Sequence, residues 1–255
     1  MKEIRTQIVF IICFLAAWQI VYQMQAFPEL LFPSLKEIGS SFVTGFKDNS
    51  LLEYTLYSMS LIVKGMGIAV VLAFVFSGVA VVSKVFHSIY NLIVSICDLL
   101  PGVALLPLAI LWFGIGEGTI IFIVVHSILW RMSRSIMDGF SSVPNIYVES
   151  GRNIGLHGIS LVTGVYLPAA FSSVLSGLRV GWARAWRGLL SVEMIFGTTG
   201  SGAGIGYYIF MRRTNFDIAG VFASLIVIVI IGVIIEYGVF RIIEKNTVRK
   251  WGMVR

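Results

Sequence analysis

The sequence predicts an all-α polytopic membrane protein with about six transmembrane helices. Hydrophobic residues make up 57% of the 255 residues, charged residues only 13%, and the mean hydropathy is +0.91. Soluble domains carry about 25% charged residues, so this composition excludes that class. Several apolar stretches reach the roughly 20 residues that a helix needs to cross a bilayer. We therefore expect residues 1–255 to form a single transmembrane domain.

The predicted elements follow in order along the chain. A first helix over 8–24 follows Lys2 and Arg5, and no convincing small-x-small cleavage site precedes Pro28, so this helix is expected to be retained. Apolar residues at helical spacing among charged ones predict an external amphipathic helix over 34–47. Further transmembrane helices are predicted over 57–82, 89–113, 119–137, 168–196 and 218–240, with a polar loop over 145–160.

The distribution of Lys and Arg predicts the orientation of these helices. In the predicted topology, eleven of these residues fall on the side of the termini and of the 145–160 loop, and four fall on the opposite side. Because basic residues concentrate on the cytoplasmic side, both termini and the loop are expected in the cytosol. The net charge of +6 is explained by this orientation, and no nucleic-acid partner is expected.

A polar segment, ESGRNIGLHGISLVTGVYLP, interrupts the apolar stretches at residues 149–168. Its spacing resembles the EAA loop (E-A-A-x3-G-x9-I-x-L-P) of the permease subunits of ATP-binding-cassette (ABC) importers, with Val165 in place of Ile and two small residues in place of the alanines. In that family the loop forms a short cytoplasmic coupling helix that docks on the ATPase subunit. The resemblance implies that coupling involves Glu149, Ser150, Gly151, Gly155, Leu167 and Pro168. Gly155 is expected to end the helix, because glycine adopts the left-handed conformation readily.

Further segments resemble the nitrate/sulfonate/taurine-type branch of these permeases. They are PGVALLPLAILWFGIGEG (101–118), LPAAFSSVLSGLRVGWARAWRGLLSVEM (167–194) and GTTGSGAGIG (197–206). The resemblance implies a type I ABC importer permease fold in a bacterial plasma (inner) membrane. It also implies a second permease copy, two cytoplasmic ATP-binding subunits and an extracytoplasmic substrate-binding protein, with a small anionic solute as substrate. ATP and Mg would be held by the ATPase partner, with no cofactor in this chain. Leu61 departs from the branch, which usually has Arg there.

Charged and aromatic residues in the predicted helix 168–196 are candidates for the translocation path. A charge at the bilayer centre costs about 2.5–3.5 kcal/mol, so these side chains must face protein or water. In one interpretation they line the path and attract an anion, which guanidinium groups bind bidentately. In the other they pair with Asp98, Glu193 or Glu236 and hold helices together, which we favour for Arg179. The candidates are Arg179, Trp182, Arg184, Trp186, Arg187 and Glu193.

The glycine cluster 197–206 lacks the Gly-Lys-Ser/Thr ending of a phosphate-binding P-loop. We interpret it as a flexible external turn in which Gly200, Gly202 and Gly204 form a gate or a landing point for the binding protein.

Other functional classes find little support. His87, His126 and His157 lack metal-ligand spacing, so each is expected to make local hydrogen bonds and no metal site is expected. No catalytic motif is evident, so the chain is expected to be non-catalytic. An ion-gradient-driven secondary transporter using Asp98, Glu193 and Glu236 is the alternative, but two inverted halves are not evident in a chain this short.

Overall fold

The computed structural model describes residues 2–197 and 202–250, which are helical with short connections and contain no strand. The helices from the amino terminus to the polar loop are α1 (Lys2–Gln23), α2 (Leu35–Lys47), α3 (Ser50–Val82), α4 (Lys84–Cys97), α5 (Leu106–Phe113), α6 (Glu117–Ser141) and α7 (Asn145–Asn153). They are followed by α8 (Ile159–Ala169), α9 (Phe171–Phe196), α10 (Ile205–Thr214) and α11 (Ile218–Asn246). The all-helical class predicted from the sequence is confirmed.

Within the described residues, four helices are long and apolar enough to cross a membrane, and the number is up to six if two bent pairs each count as one span. The four are α1, α3, α6 and α11, and the bent pairs are α4 with α5 and α8 with α9. With six spans, consecutive spans alternate in direction. The α9 helix has 26 residues and is therefore ~39 Å long, which places α7 and α10 at opposite ends of the bundle.

The helix expected over 89–113 is broken in the structure. Helix α4 ends at Cys97, and a short 3-10 turn over Gly102–Leu105 leads into α5 at an angle of 92° to α4. Pro101 lies in the break, where it lacks an N–H for the helical ladder and disfavours helical geometry at the residue before it. The non-helical backbone between the two halves lies beside a cavity described below.

The helix expected over 168–196 is also interrupted. A π-helical turn over Val162–Tyr166 precedes Pro168, and α8 meets α9 at Ala170 with a bend of 77°. Proline cannot donate to the carbonyl four residues earlier, here that of Gly164, and a π-bulge is one way for the chain to accommodate this. The transmembrane part of the predicted segment is therefore α9. Pro168 lies in α8, before the bend.

Small residues allow α9 to pack closely along α6. A Cβ atom on Gly177 would lie 2.5 Å from the Ser135 Cβ, and one on Gly181 would lie 3.2 Å from Ile128. Gly177 and Gly181 are four residues apart and so share one face of α9, the arrangement that brings helix backbones together in membranes. Helix α6 is thereby the most buried of the four continuous spans.

The start of α2 shows how the local sequence sets the boundary of a helix. Helix α2 begins at a capping box in which Ser34 accepts from the Glu37 amide and the Glu37 carboxylate accepts from the Ser34 amide.

Helix α10 was not predicted, because its residues follow a glycine cluster and give no long apolar run. Gly204 and Gly206 lie at its start rather than in a flexible turn.

Candidate functional site

The polar loop expected over 145–160 contains a short helix, α7, that begins after Pro144. Its end is fixed by a left-handed Gly155, with φ at 86°. The Gly155 amide donates to the Arg152 carbonyl and the Leu156 amide donates to the Gly151 carbonyl, each at 2.9 Å. This pair of bonds is a Schellman motif, and it confirms that Gly155 terminates the helix. Glu149 lies in the second turn and is exposed.

One face of α7 packs against α8. Val148 and Gly151 are buried, and a Cβ atom on Gly151 would lie 2.8 Å from Val165 and 2.9 Å from Leu161. Even an alanine would require these neighbours to move, which explains why glycine stands at this position of the loop. Leu167 and Pro168 follow in α8, so they lie on the segment that connects α7 to α9.

The rest of the α7 surface is exposed and carries three large apolar side chains. Ile146 is 63% exposed, Tyr147 57% and Ile154 78%, and Glu149 and Ser150 lie among them. The Ser150 hydroxyl donates only to the Ile146 carbonyl of its own helix. Exposed apolar residues that lie close together mark a surface used for binding.

The arginines of α9 divide into two groups. Arg179 contacts α11: its Nε lies 3.2 Å from Glu236, its Nη2 lies 3.2 Å from Glu244, and its guanidinium lies 5.6 Å from the centre of the Phe240 ring. This pairing matches the interpretation favoured for Arg179 and links two helices. Trp182 and Trp186 are buried and stack on each other with ring centres 5.9 Å apart, so they pack in the core.

Arg184 and Arg187 lie further along α9 and line a cavity. Arg184 Nη1 donates to Asp98 Oδ1 at 2.6 Å. The second Asp98 oxygen lies 3.8 Å from nitrogens of both Arg131 and Arg134. The Asp98 carboxylate therefore joins the end of α4 to α6 and α9.

The cavity has a volume of about 260 Å³ and lies beside the break between α4 and α5. His126 and Trp130 of α6 also line it, which the sequence analysis missed. The expectation that His126 makes local hydrogen bonds is wrong: neither of its ring nitrogens has a partner within the described residues. The sequence had singled out Arg184 and Arg187 as path candidates and Asp98 as a partner for them, but it gave no signal that His126 and Trp130, which come from another helix, join the same cavity. The polar lining residues are Asp98, His126, Ser127, Trp130, Arg184 and Arg187.

Glu193 contacts none of these arginines. It is 1% exposed and accepts from the Ser58 hydroxyl at 2.7 Å and from the Gly206 amide at 3.0 Å. The Ser58 oxygen in turn accepts from the Ile205 amide at 2.9 Å. Glu193 and Ser58 thus hold the first amides of α10 against α3 and α9, which satisfies donors that a helix start leaves unpaired.

The glycines proposed as an external gate are tightly packed where the structure describes them. A Cβ atom on Gly202 would lie 2.5 Å from the Tyr57 ring, and one on Gly204 would overlap the Glu193 carboxylate. These positions are therefore glycine because side chains and backbone approach closely, and the expectation of a flexible turn is wrong for them. Gly200 lies outside the described residues.

Comparison with known proteins adds to this geometry. The family described as "Binding-protein-dependent transport system inner membrane component" matches residues 65–249, which is well over half of the chain. The chain belongs to this family. It is a membrane-embedded permease of an ABC transporter, as the loop and the later segments indicated.

Three relatives illustrate the range of similarity. A protein of Methanocaldococcus jannaschii named as an ABC transporter permease is 30% identical over 77% of this chain and 72% of the relative. The taurine transport system permease protein of Escherichia coli is 27% identical over 91% of this chain and 85% of the relative. A protein of Escherichia coli named as an aliphatic sulfonates transport permease is 33% identical over 52% of this chain and 49% of the relative. The permease is thus similar to proteins of the taurine and sulfonate type.

Proposed function

We propose that the permease works as a homodimer in an ABC importer, forming the path for a small anionic solute that a binding protein delivers. ATP hydrolysis, with its Mg, takes place in two separate ATPase subunits. The observation that carries the proposal is the structure of α7. One face of this helix is fixed to α8 by Gly151, and its remaining surface exposes Ile146, Tyr147 and Glu149.

The α7 helix can transmit force because it is packed and not merely tethered. A displacement of α7 must move Leu161 and Val165, since Gly151 already lies as close to them as backbone allows. These residues belong to α8, which continues through the bend at Ala170 into α9. A partner that binds the exposed face of α7 differently in two states would therefore bias the position of α9 and of Arg184 and Arg187.

Charge supports a cytoplasmic position for α7. In the proposed topology α7 lies at the same end of the bundle as both termini, together with Lys84 and Arg152. The opposite end carries α10, where Arg212 binds Asp217 at 2.7 Å. Facing the cytosol, α7 meets the ATPase, and α10 faces the side from which a binding protein approaches. We place the transporter in a bacterial plasma membrane, with α7 on the cytoplasmic side.

The proposal is tested with the purified transporter, using Glu149→Lys and a deletion of residues 149–155. We expect both variants to lose ATPase co-purification or the stimulation of ATP hydrolysis by the binding protein. Glu53→Lys is the matched control for ATPase co-purification, because Glu53 is also exposed but lies at the end of the bundle opposite α7. If both α7 variants retain the ATPase and its stimulation, the coupling role is refuted.

The three carboxylates of the alternative, an ion-gradient-driven carrier, lie in separate environments. Asp98 binds arginines of α6 and α9, Glu236 binds Arg179, and Glu193 accepts from Ser58. They form no chain along which a proton could pass, so no observation favours this function. Uptake that requires ATP and persists with an uncoupler would distinguish the importer from the carrier.

A further inference from the structure

Helix α4 carries a polar stripe from its first residue to the residue after its end. Five polar residues recur at intervals of four and three positions, which places them on one face of the helix. They are Lys84, Ser88, Asn91, Ser95 and Asp98. A second, apolar stripe lies roughly 100° further around the helix, and its members are 55–73% exposed. It consists of Val85, Ile89, Leu92 and Ile96. The apolar stripe suits lipid, whereas polar side chains at membrane depth must face protein or water.

Helix α6 carries a matching stripe beside that of α4. Its members have the same spacing and are half-buried or exposed, and they are Ser127, Arg131, Arg134, Asp138 and Ser141. The two helices touch along their length. The hydroxyls of Tyr90 and Ser133 lie 2.7 Å apart, and Arg134 Nη2 donates to Ser95 Oγ at 2.9 Å. The two stripes therefore form one polar surface, which we call the polar seam.

The polar seam joins two cavities of about 260 Å³ each. At one end, Asp98 and Ser127 line the cavity beside the break between α4 and α5. At the other end, Lys84, His87 and Ser141 line a cavity where α3 and α6 end. Lys84 and Asp98 are fourteen residues apart, so the polar seam is ~21 Å long. In the proposed topology Lys84 lies at the cytoplasmic end, so the polar seam runs from the cytosol to the middle of the membrane.

Unpaired polar groups indicate that the polar seam is hydrated. The Asn91 side chain is exposed, and its amide has no hydrogen-bond partner among the residues that the structure describes. In the cavity at the far end, the His126 ring nitrogens and the Trp130 indole N–H are buried, again without a partner in the described part of the chain. Buried polar groups are rarely left unpaired, and lipid offers them no partner, so these groups require water or a polar solute.

The charges of the polar seam oppose a dry contact between two copies. The side chains of Arg131 and Arg134 are 34% and 30% exposed, and Asp98 carries the one negative charge beside them. Two copies in one membrane share one orientation, so a two-fold axis runs along the membrane normal and equal residues meet at equal depth. A direct contact of seam on seam would therefore place arginines against arginines away from water, where like charges repel strongly.

We propose that the polar seam is the cytoplasmic half of the solute path, a water-filled groove that connects the cavity beside the break between α4 and α5 with the cytosol. This inference rests on the proposed function and says where its path runs. Asp98 closes the end away from the cytosol, where its carboxylate accepts from Arg184 of α9 at 2.6 Å. Since α9 continues from α8, a shift of α7 and α8 changes this contact and thereby the opening of the polar seam.

The test is the reaction of introduced cysteines with a membrane-impermeant anionic methanethiosulfonate, added to inside-out membrane vesicles that contain the intact transporter. The thiolate is the reactive form, so the rate reports contact with water. Asn91→Cys and Leu92→Cys are a matched pair, because these neighbours lie at one depth but on the polar seam and on the apolar stripe. Ser88→Cys and Ile89→Cys are a second pair, which decides the question if a variant of the first folds poorly. We expect the seam cysteine of each pair to react at least about tenfold faster, measured by mass spectrometry of the labelled peptide.

Nucleotide distinguishes a transport path from a fixed crevice. On addition of a non-hydrolysable ATP analogue, we expect the rate for Asn91→Cys to change at least about threefold, because a path must differ in opening between two states. Lys245→Cys is the control for access of the reagent, since Lys245 is exposed near the cytoplasmic end of α11. It should react equally with and without the analogue.

Three results would overturn the inference. They are equal rates within both pairs, a rate for Asn91→Cys that does not respond to nucleotide, and an unreactive Asn91→Cys that instead forms a disulfide between two copies on oxidation. Each leaves the proposed function intact if the binding protein still stimulates ATP hydrolysis by the purified transporter. Absence of that stimulation in the unchanged transporter contradicts the proposed function instead, and the rates within each pair still show whether the polar seam is hydrated.

Discussion

The Ser58→Ala substitution tests the contact that fixes α10 to the membrane helices. The Ser58 hydroxyl donates to the buried Glu193 carboxylate at 2.7 Å and accepts from the Ile205 amide at 2.9 Å. Alanine leaves the carboxylate with one donor fewer and the amide without an acceptor. A hydrogen bond contributes about 0.5–1.5 kcal/mol to a neutral group and about 1.5–3 kcal/mol to a charged one, and an unsatisfied buried amide costs about 1–3 kcal/mol. Since the two effects overlap, we expect a loss of about 2–4 kcal/mol in the free energy of unfolding.

The assay is the apparent melting temperature of the purified transporter in one detergent, followed by intrinsic fluorescence. For a chain of this size 1 kcal/mol corresponds to about 2–4 °C, so the expected decrease is roughly 4–16 °C. Ser60→Ala is the matched control, because the Ser60 hydroxyl donates only to the Tyr57 carbonyl within the same helix. A decrease for Ser58→Ala no larger than that for Ser60→Ala would refute the role of this contact.

Three further substitutions test the packing of α9 and α7. Gly177→Leu places a side chain where a Cβ atom would already lie 2.5 Å from Ser135, so we expect size-exclusion chromatography to show little folded permease. The control Gly39→Leu meets open space and should fold normally. Gly151→Leu overlaps Val165, and we expect normal folding of the bundle with at least about tenfold lower stimulation of ATP hydrolysis; Gly151→Ala should be affected less. Arg179→Gln removes the ion pairs with the two α11 carboxylates, and we expect faster hydrogen exchange in α11 than in the unchanged permease.

Local signals in the sequence predicted the elements that depend on neighbouring residues. The amphipathic helix expected over 34–47 from its apolar spacing lies at Leu35–Lys47, where a capping box of Ser34 and Glu37 fixes its start. Gly155 ends α7 as expected, because a left-handed helix end depends mainly on the residue that adopts it. Long apolar runs likewise indicated the continuous spans α3 and α6.

The breaks in two predicted helices were not foreseen, although Pro101 and Pro168 lie at them. Apolar composition continues through both positions, and proline is tolerated within transmembrane helices, so the sequence does not distinguish a kink from a break. The 92° bend lies beside side chains of α6 and α9, which come from distant parts of the chain. The close packing of α6 on α9 requires Gly177 and Gly181, whose effect appears only when two helices meet.

The sequence named Asp98 and Glu236 as candidate partners of the α9 arginines, but it did not assign a carboxylate to each arginine. Asp98 and Arg184 are 86 residues apart, and Ser58 and Glu193 are 135 residues apart. Arg179 and Glu193 both lie on α9 and were candidates for one path, yet they bind different helices. The donors of His126 and Trp130 became a candidate site only once their unpaired nitrogens were found beside the arginines of α9.

Site-specific photo-crosslinking tests most directly whether α7 meets the ATPase. A photoreactive phenylalanine analogue replaces Tyr147, which is 57% exposed on α7, or Phe216, which is 65% exposed at the opposite end of the bundle. We predict a crosslink to the ATPase subunit from position 147, with a yield that changes when a non-hydrolysable ATP analogue is added, and none from position 216. Crosslinking to the ATPase from position 216, or none from position 147 in the intact transporter, would contradict the account.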